Sequence, residues 1–175
     1  MDKSYKQIFP QIDTFIFDVD GVLTNGIVTV FPDGQLIRQM NIKDGYALKA
    51  AVKLGFNVCI ISGGKNEGVR NRLANLGIRD IFLGAHNKIE QYSAYIKEHN
   101  IKPENIIYMG DDIPDLPVMN RVGMPCCPSD AVREVQQISK YISDKKGGEG
   151  CARDVIEQVL RVQGKWNDNY DAQYD

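Results

Sequence analysis

A chain of 175 residues with 43% hydrophobic content has room for one domain with a buried core, but not for two full domains. Its 21 basic and 23 acidic residues are mixed along the sequence and give a net charge of −2, which argues against nucleic acid as a partner. The four cysteines lack Cys-x-x-Cys spacing and no apolar run reaches membrane-spanning length, so we expect a cytoplasmic protein with free thiols and no membrane partner.

Apolar runs typical of strands alternate with segments of helical periodicity. The predicted strands are 14–17, 57–61, 80–83 and 105–109, and the predicted helices that connect them are 45–54, 67–76 and 88–98. Gly55, Gly77 and Pro103 stand where these helices should stop. The alternation predicts an α/β fold, a Rossmann-like parallel sheet with helices on both faces.

Shorter elements complete the prediction. Two apolar segments, 26–31 and 35–40, stand on either side of Pro32-Asp33-Gly34. Together, residues 26–40 predict a β-hairpin inserted after the first strand, because Asp-Gly supplies turn conformations. The later segments are 113–119, a short run at 121–126, 130–136, a run at 138–142 and a last helix from about 151 to 162. We therefore expect a single domain over 1–164 and a polar tail over 165–175.

Two aspartates stand two residues apart where the first predicted strand ends. Asp18 and Asp20 follow the apolar run 12–17. Alternation along a strand places both side chains on the same side, at the sheet edge where α/β proteins bind ligands. Two like charges this close favour a bound cation. Taken alone, the segment also fits an acidic turn after a strand.

A second acidic cluster follows a later predicted strand. Asp111, Asp112 and Asp115 come directly after the run 105–109. In a parallel sheet both strand ends lie on one edge, so we expect the two clusters to converge. Several carboxylates in one pocket favour a hard cation with oxygen ligands, Mg²⁺ rather than Zn²⁺. A capped helix start is the alternative for this cluster alone.

Two further features could bind a phosphate. Ser62, Gly63 and Gly64 follow a strand and precede a helix, so the hydroxyl and the glycine amides can point at an anion. Lys88 starts the next predicted helix and could reach the same edge. Each feature has an alternative, an ordinary turn for the glycines and a solvated surface charge for the lysine.

Together these segments resemble a known family. Asp-x-Asp-Gly, Ser62, Lys88 and Gly-Asp-Asp-x-x-Asp, in this order after successive strands, resemble the four motifs of the haloacid dehalogenase superfamily. The hairpin and the segments 42–46 and 147–150 further resemble its capless subgroup, the 3-deoxy-D-manno-octulosonate 8-phosphate phosphatases. The resemblance covers nearly the whole chain and implies a Mg²⁺-dependent phosphatase of lipopolysaccharide precursor synthesis that acts on a 2-keto-3-deoxy sugar acid phosphate through an aspartyl phosphate.

The resemblance also implies roles for individual residues. Asp18 would be the nucleophile, and Asp20 the general acid and base. The side chains of Asp18 and Asp111 and the carbonyl of Asp20 would hold Mg²⁺. The remaining motif residues would bind the phosphoryl group (Ser62, Gly63 and Lys88) or orient the metal water and the lysine (Asp112 and Asp115).

Sugar recognition and assembly would involve residues around this centre. Thr24 and Asn25 lie beside the first motif, while Arg70 and Arg72 could pair with the substrate carboxylate in a neighbouring subunit or be ordinary surface arginines. The subgroup forms homotetramers with central hairpins. We therefore expect neighbours to shield each site through Arg72 or a tail at 147–150, although Glu149 departs from the basic residue of many relatives.

Two other functions fit part of the pattern. Phosphatases of ketodeoxynononate 9-phosphate share these motifs, so the sugar stays open between the two acids. A receiver-like regulatory module also combines acids, a hydroxyl residue and a lysine around Mg²⁺. Its phosphorylated aspartate, however, ends a later strand than Asp18 does.

Overall fold

The computed structural model describes residues 4–166. Within them the strands are β1 (Thr14–Phe17), β2 (Thr29–Val30), β3 (Leu36–Ile37), β4 (Asn57–Ser62), β5 (Asp80–Leu83), β6 (Ile106–Met109), β7 (Met124–Cys127) and β8 (Tyr141–Ile142). The α-helices are α1 (Tyr5–Ile8), α2 (Ile42–Lys53), α3 (Glu67–Asn75), α4 (Lys88–Glu98), α5 (Leu116–Met119), α6 (Arg133–Ile138) and α7 (Cys151–Val162). Of the predicted polar tail, residues 167–175 lie outside the described part of the chain.

Six parallel strands form the central sheet, in the order β5-β4-β1-β6-β7-β8. β1 lies in the middle, and its last residue, Phe17, stands opposite Ile60 of β4 and Met109 of β6. The loops that follow these three strands therefore leave the sheet at the same edge. This arrangement confirms the predicted α/β fold and brings the sequence motifs together.

Helices cover both faces of the sheet because the strand side chains alternate between two apolar layers. Phe15 and Phe17 pack with buried residues of α2, α3 and α7, whereas Ile16, between them, packs with buried residues of α4, α5 and α6. All three side chains are fully buried. Burial on both faces explains why β1 is an uninterrupted apolar run in the sequence.

Several element boundaries differ from the sequence prediction. The segment 113–119 is a 3₁₀ turn, Ile113–Asp115, followed by the single turn α5, and each of them has a proline, Pro114 or Pro117, in its first positions. Helix α6 runs to Ile138, so the last strand is shortened to Tyr141–Ile142. The short helix α1, which was not predicted, begins at Tyr5 after a capping box made by Ser4 and Gln7.

The insertion after β1 is a hairpin, as predicted, but its paired strands contain two residues each. Gly34 turns the chain at φ +87°, and Phe31 and Gln35 are hydrogen-bonded across the turn. Its apolar side chains are exposed, most of all Ile27 and Val30 at 69% and 68%. Among residues 4–166, no helix combines the length and apolar character needed to cross a membrane.

Candidate active site

The motif residues converge on one cavity of about 370 Å³ at the carboxyl edge of the sheet. They come from the ends of four strands, β1, β4, β5 and β6, and from the loops that follow them, as the parallel topology requires. Nine of the residues selected from the sequence line this cavity: Asp18, Asp20, Ser62, Gly63, Gly64, Lys88, Asp111, Asp112 and Asp115. His86, which the sequence analysis missed although it lies two residues before Lys88, lines it as well.

Asp18 is fixed by the turn that follows β1. Its Oδ1 accepts a hydrogen bond from the Val19 amide at 2.6 Å, and the Thr24 amide donates to the Val19 carbonyl to close the turn. Gly21 lies inside this turn at φ +85°, and a Cβ on it would stand 1.9 Å from Asp111 Oδ2. Only glycine therefore lets the first acidic loop pack so closely against the second.

Lys88 joins the two acidic loops. It begins α4 and is only 5% exposed, with its Nζ 2.6 Å from Asp18 Oδ2 and 2.7 Å from Asp115 Oδ1. A buried ammonium needs such partners, because burial without them would neutralise it. The lysine is therefore part of the site and not the solvated surface charge that was its alternative.

Asp115 supports Lys88 and the second acidic loop through hydrogen bonds to both of its carboxylate oxygens. It is fully buried, and its Oδ1 accepts hydrogen bonds from Lys88 Nζ and from the Tyr108 hydroxyl at 2.6 Å. Its Oδ2 accepts from the amides of Asp111 and Asp112 at 3.0 and 3.3 Å. Both oxygens of Asp115 are thus occupied by neighbouring groups, and its role in orienting them stays a prediction.

Burial and crowding shift the ionisation of the carboxyl groups. Burial raises the pKa of Asp111 to about 8, and the charges of Asp18 and Asp115 add to the effect. Burial, together with Asp115, raises the pKa of Asp18 to about 6, although Lys88 opposes the shift. Burial opposes the charge on Lys88, but the two aspartates outweigh it and raise the lysine pKa. The raised pKa values of Asp18 and Asp111 indicate that the site contains more negative than positive charge when these groups are ionised.

A divalent cation fits this deficit. Carboxylate oxygens of Asp18, Asp111 and Asp115 lie within 4.8 Å of one another. Asp111 Oδ1 is buried without a hydrogen-bond partner among residues 4–166. Since Asp115 is saturated, Asp18 and Asp111 are the side chains with ligand capacity, and their all-oxygen chemistry suits a hard cation. The Asp20 carbonyl stays a predicted third ligand.

Comparisons with known proteins show the family of this chain. A family model described as haloacid dehalogenase-like hydrolase matches residues 78–154. The 3-deoxy-D-manno-octulosonate 8-phosphate phosphatase of Escherichia coli K12 is 36% identical over 154 residues, which cover 88% of this chain and 82% of the relative. The chain belongs to the haloacid dehalogenase family of hydrolases. The predicted family and enzyme class are thereby confirmed.

Solved structures of this family have the same fold with metal bound. The Moraxella catarrhalis 3-deoxy-D-manno-octulosonate 8-phosphate phosphatase, in complex with magnesium, phosphate and its sugar acid, has a TM-score of 0.87 at 30% identity and covers 91% of each chain. The cobalt-bound deoxy-D-mannose-octulosonate 8-phosphate phosphatase of Haemophilus influenzae also has a TM-score of 0.87, at 31% identity, and covers 91% of this chain and 93% of that one.

The predicted phosphate loop of this hydrolase lies at the end of β4. Ser62 ends β4 and is 2% exposed, and its carbonyl accepts from the Ala85 amide at 2.9 Å. This bond ties the loop after β4 to the loop that precedes Lys88. Gly63 is exposed and has open space where a Cβ would stand. The hydroxyl and the glycine amide thus lie in the same cavity as Asp18 and Lys88.

Asp20 has a partner that the sequence analysis missed. Arg38, just after β3 of the hairpin, contacts Asp20 Oδ1 through Nε at 2.6 Å and Oδ2 through Nη2 at 2.9 Å. Within this pair, Asp20 lines the cavity and its side chain is 34% exposed, whereas Arg38 lines an adjacent cleft. No local pattern marks Arg38, because the contact depends on the hairpin folding back over the loop after β1.

The two predicted sugar contacts beside the first motif, Thr24 and Asn25, do not line the cavity. Thr24 is fully buried, and its hydroxyl accepts from the amides of Gly21 and Gly26, so it shapes the loop and cannot touch a substrate. Asn25 is exposed but uses its side-chain oxygen to accept from the Ile27 amide, and it does not line the cavity.

The two arginines of α3 also lie outside their own chain's cavity. Arg70 donates through Nη1 to the Ile81 carbonyl at 2.9 Å and pairs with Glu67. Arg72 packs against Gly45 of α2 and lines a separate cleft of about 830 Å³ between the hairpin and α3. A contact of either arginine with a neighbouring subunit stays a prediction.

The glycine segment 147–150 is not a free tail, so that expectation is wrong. The Gly148 amide donates to the Val22 carbonyl at 2.9 Å, and the Gly147 amide donates to Asp130 at 2.9 Å. A Cβ on Gly147 would stand 2.0 Å from the Gly21 carbonyl oxygen. The segment therefore supports the acidic loop of its own chain and leads directly into α7.

Proposed function

We propose that this hydrolase is a Mg²⁺-dependent phosphatase that cleaves the phosphate monoester of 3-deoxy-D-manno-octulosonate 8-phosphate, a precursor of lipopolysaccharide. The carrying observation is the convergence of Asp18, Lys88 and Asp111 in one small cavity with the phosphate loop. The named substrate of the Escherichia coli relative and the sugar acid bound to the Moraxella catarrhalis enzyme support the choice of ester.

In the proposed reaction, Asp18 attacks phosphorus and forms an aspartyl phosphate, which water then hydrolyses. The Val19 amide and Lys88 each bind one oxygen of the Asp18 carboxyl group, so its orientation is set before substrate arrives. Ser62, the Gly63 amide and Lys88 bind the transferring phosphoryl oxygens. Asp18, Asp111 and the Asp20 carbonyl would hold Mg²⁺, which would supply positive charge between the nucleophile and the phosphate dianion.

Asp20 serves as the general acid and base. It first gives a proton to the departing sugar oxygen and later takes one from the attacking water. Its side chain lines the cavity and is 34% exposed, against 9% for the Asp18 side chain, which suits a group that must meet both sugar and water. Asp112 also lines the cavity, and we expect it to order water near the metal.

Assembly into a homotetramer is part of the proposal. The hairpin carries exposed Ile27, Val30 and Ile37, which a neighbouring copy could cover. A two-stranded hairpin is marginally stable alone, so pairing between subunits would stabilise it and cover its edges. We place the enzyme in the cytoplasm, in agreement with four buried, unpaired cysteines.

The second candidate substrate is ketodeoxynononate 9-phosphate, since its phosphatases share these motifs. Family membership sets aside the receiver-like module. Phosphate release with Mg²⁺ from a panel containing both 2-keto acid phosphates and simple aldose phosphates tests the proposal. We expect the highest kcat/KM for the eight-carbon ester. A higher value for the nine-carbon ester would reassign the substrate, and equal rates on aldose phosphates would refute recognition of a 2-keto acid.

A further inference from the structure

The pairing of Arg38 with Asp20 joins the hairpin to the acid-base residue. Two hydrogen bonds run from one guanidinium to both oxygens of one carboxylate, at 2.6 and 2.9 Å. This bidentate arrangement restricts the carboxylate plane as well as its position. The arginine side chain is 7% exposed, against 34% for the aspartate, so the cation is the more deeply enclosed partner.

The phosphate loop leaves space for this pair. A Cβ on Gly64 would stand 3.0 Å from Asp20 Oδ2 and 3.2 Å from Arg38 Nη2. Beside it, the Asn66 side chain donates from Nδ2 to the Leu36 carbonyl of β3 at 2.9 Å. The hairpin is therefore attached to the active-site loops at two points, and Arg38 is held close to the phosphate-binding segment.

The enclosed guanidinium is not fully satisfied by the chain. Arg38 Nη1 is buried without a hydrogen-bond partner among residues 4–166. An unpaired buried donor of a charged group costs free energy that a more exposed arginine would avoid. Such a placement is typical of a functional site rather than of a residue that stabilises the fold.

We propose that Arg38 is a positioning residue that orients the Asp20 carboxyl group for proton transfer to the leaving sugar oxygen. The inference rests on the proposed phosphatase function and extends it by making the hairpin a part of the acid-base machinery. When Asp20 is protonated, the oxygen that carries the proton gives up its hydrogen bond from Arg38, while the other oxygen keeps its own, so one of the two contacts holds the carboxyl group until the proton leaves and the second contact returns. Arg38 acts through Asp20 and does not bind the phosphoryl group.

A comparison of two leaving groups isolates this role. An alkyl phosphate such as the sugar ester needs protonation of its leaving oxygen, whereas p-nitrophenyl phosphate releases a stable anion without it. The ratio kcat/KM reports the steps through phosphoryl transfer. For Arg38→Gln we expect kcat/KM to fall on the order of 10- to 100-fold with the sugar phosphate and less than about 3-fold with p-nitrophenyl phosphate. Arg38→Lys keeps the positive charge but loses the two parallel N–H donors of the guanidinium. Its kcat/KM with the sugar phosphate should lie between those of the wild type and Arg38→Gln.

A double-mutant cycle with Asp20→Asn tests whether the effect passes through Asp20. If it does, adding Arg38→Gln to Asp20→Asn lowers the remaining sugar-phosphate activity by less than about 2-fold. Arg79→Ala, an exposed arginine directly before β5 at the opposite edge of the sheet, is the matched control. Circular dichroism establishes that each variant is folded, and Arg38→Lys carries the test should Arg38→Gln fail to fold.

Equal losses on both esters, or a raised KM with unchanged kcat, would overturn the proposal, since Arg38 would then bind substrate directly. Additive losses in the cycle would overturn it as well. The proposed function fails separately, when the wild-type protein releases no phosphate from any ester of the panel. Turnover of p-nitrophenyl phosphate by the wild type with no difference between the esters in Arg38→Gln leaves the phosphatase intact and removes only the role of Arg38.

Discussion

Lys88 Nζ lies 2.6 Å from Asp18 Oδ2, and both groups are nearly closed off from solvent. This contact joins the helix after β5 to the loop after β1, and the same ammonium also meets Asp115 at 2.7 Å. One cation between two buried carboxylates is held rigidly, because loss of either contact would leave charge unpaired. These contacts fix the position of Lys88, the proposed phosphate-binding lysine, relative to Asp18, the proposed nucleophile.

Removal of that cation should disable the site. We expect Lys88→Met to lower kcat/KM by on the order of 100-fold or more, because two buried carboxylates would then face an incoming phosphate without a counter-charge. Steady-state phosphate release measures the effect. The matched control is Lys97→Met on the exposed side of the same helix, which should retain wild-type kinetics. Near-normal turnover by Lys88→Met would exclude Lys88 from phosphate binding.

Substitution of the two aspartates in the first acidic loop should reduce catalytic activity without unfolding the protein. Asp18→Asn and Asp20→Asn are each expected to lose on the order of 10²-fold or more in kcat while keeping the wild-type circular dichroism spectrum. The fold survives because both side chains lie past the end of β1, outside the apolar layers. Substantial activity in either variant would remove that residue from its proposed role.

The raised pKa of Asp111 predicts an unusual pH dependence of stability without metal. The folded chain keeps this proton up to about pH 8, whereas the unfolded chain releases it near the ordinary value of 3.8. A raised carboxyl pKa stabilises the fold at low pH, and that stability is lost as pH rises toward 8. The thermal midpoint of the metal-free protein should therefore fall over this range, and less so in Asp111→Asn.

Added Mg²⁺ should reverse that loss. A cation binds the ionised form of Asp111, so the rise in thermal midpoint on adding Mg²⁺ should be larger at pH 8.5 than at pH 6, values that bracket the titration. Chelation should abolish phosphate release, and restored Mg²⁺ should return it. Full activity in excess chelator, or a metal-induced shift that is unchanged in Asp111→Asn, would contradict the assignment.

The exposed face of the hairpin should carry the subunit contact. Sedimentation of the wild type is expected to give a tetramer, and the double substitution Ile27→Asp and Val30→Asp to give smaller species with reduced activity, because charges replace two side chains about two-thirds exposed. Val162→Asp, at a 45% exposed position on the end of α7, serves as control. A fully active wild-type monomer would refute assembly through this hairpin.

Sequence reasoning located the residues whose positions follow from topology. Asp18, Ser62 and Asp111 each follow a strand of one parallel sheet, so their convergence could be predicted before any coordinate was known. The same reasoning assigned Thr24 to the substrate because of its nearness in sequence. In the structure Thr24 is buried instead, and its hydroxyl accepts hydrogen bonds from two backbone amides.

Contacts set by long-range folding could not be predicted in this way. Arg38 reaches Asp20 only because the hairpin bends back across the loop after β1, and nothing in the local pattern fixes that bend. The structural role of Gly147 and Gly148 similarly depends on their contacts with Gly21 and Val22, which are distant in sequence. Tertiary hydrogen bonds of this kind are invisible to periodicity and to motif spacing.

The most direct test of the account is to identify the residue that carries the phosphoryl group. Acid quenching of wild-type enzyme during turnover of 3-deoxy-D-manno-octulosonate 8-phosphate with Mg²⁺, followed by borohydride reduction, converts a phosphorylated aspartate into homoserine, which peptide mass spectrometry locates in the sequence. The account predicts an acyl phosphate on Asp18, with none detected in Asp18→Asn. A phosphoryl group on another residue, or full phosphate release by Asp18→Asn, would contradict it.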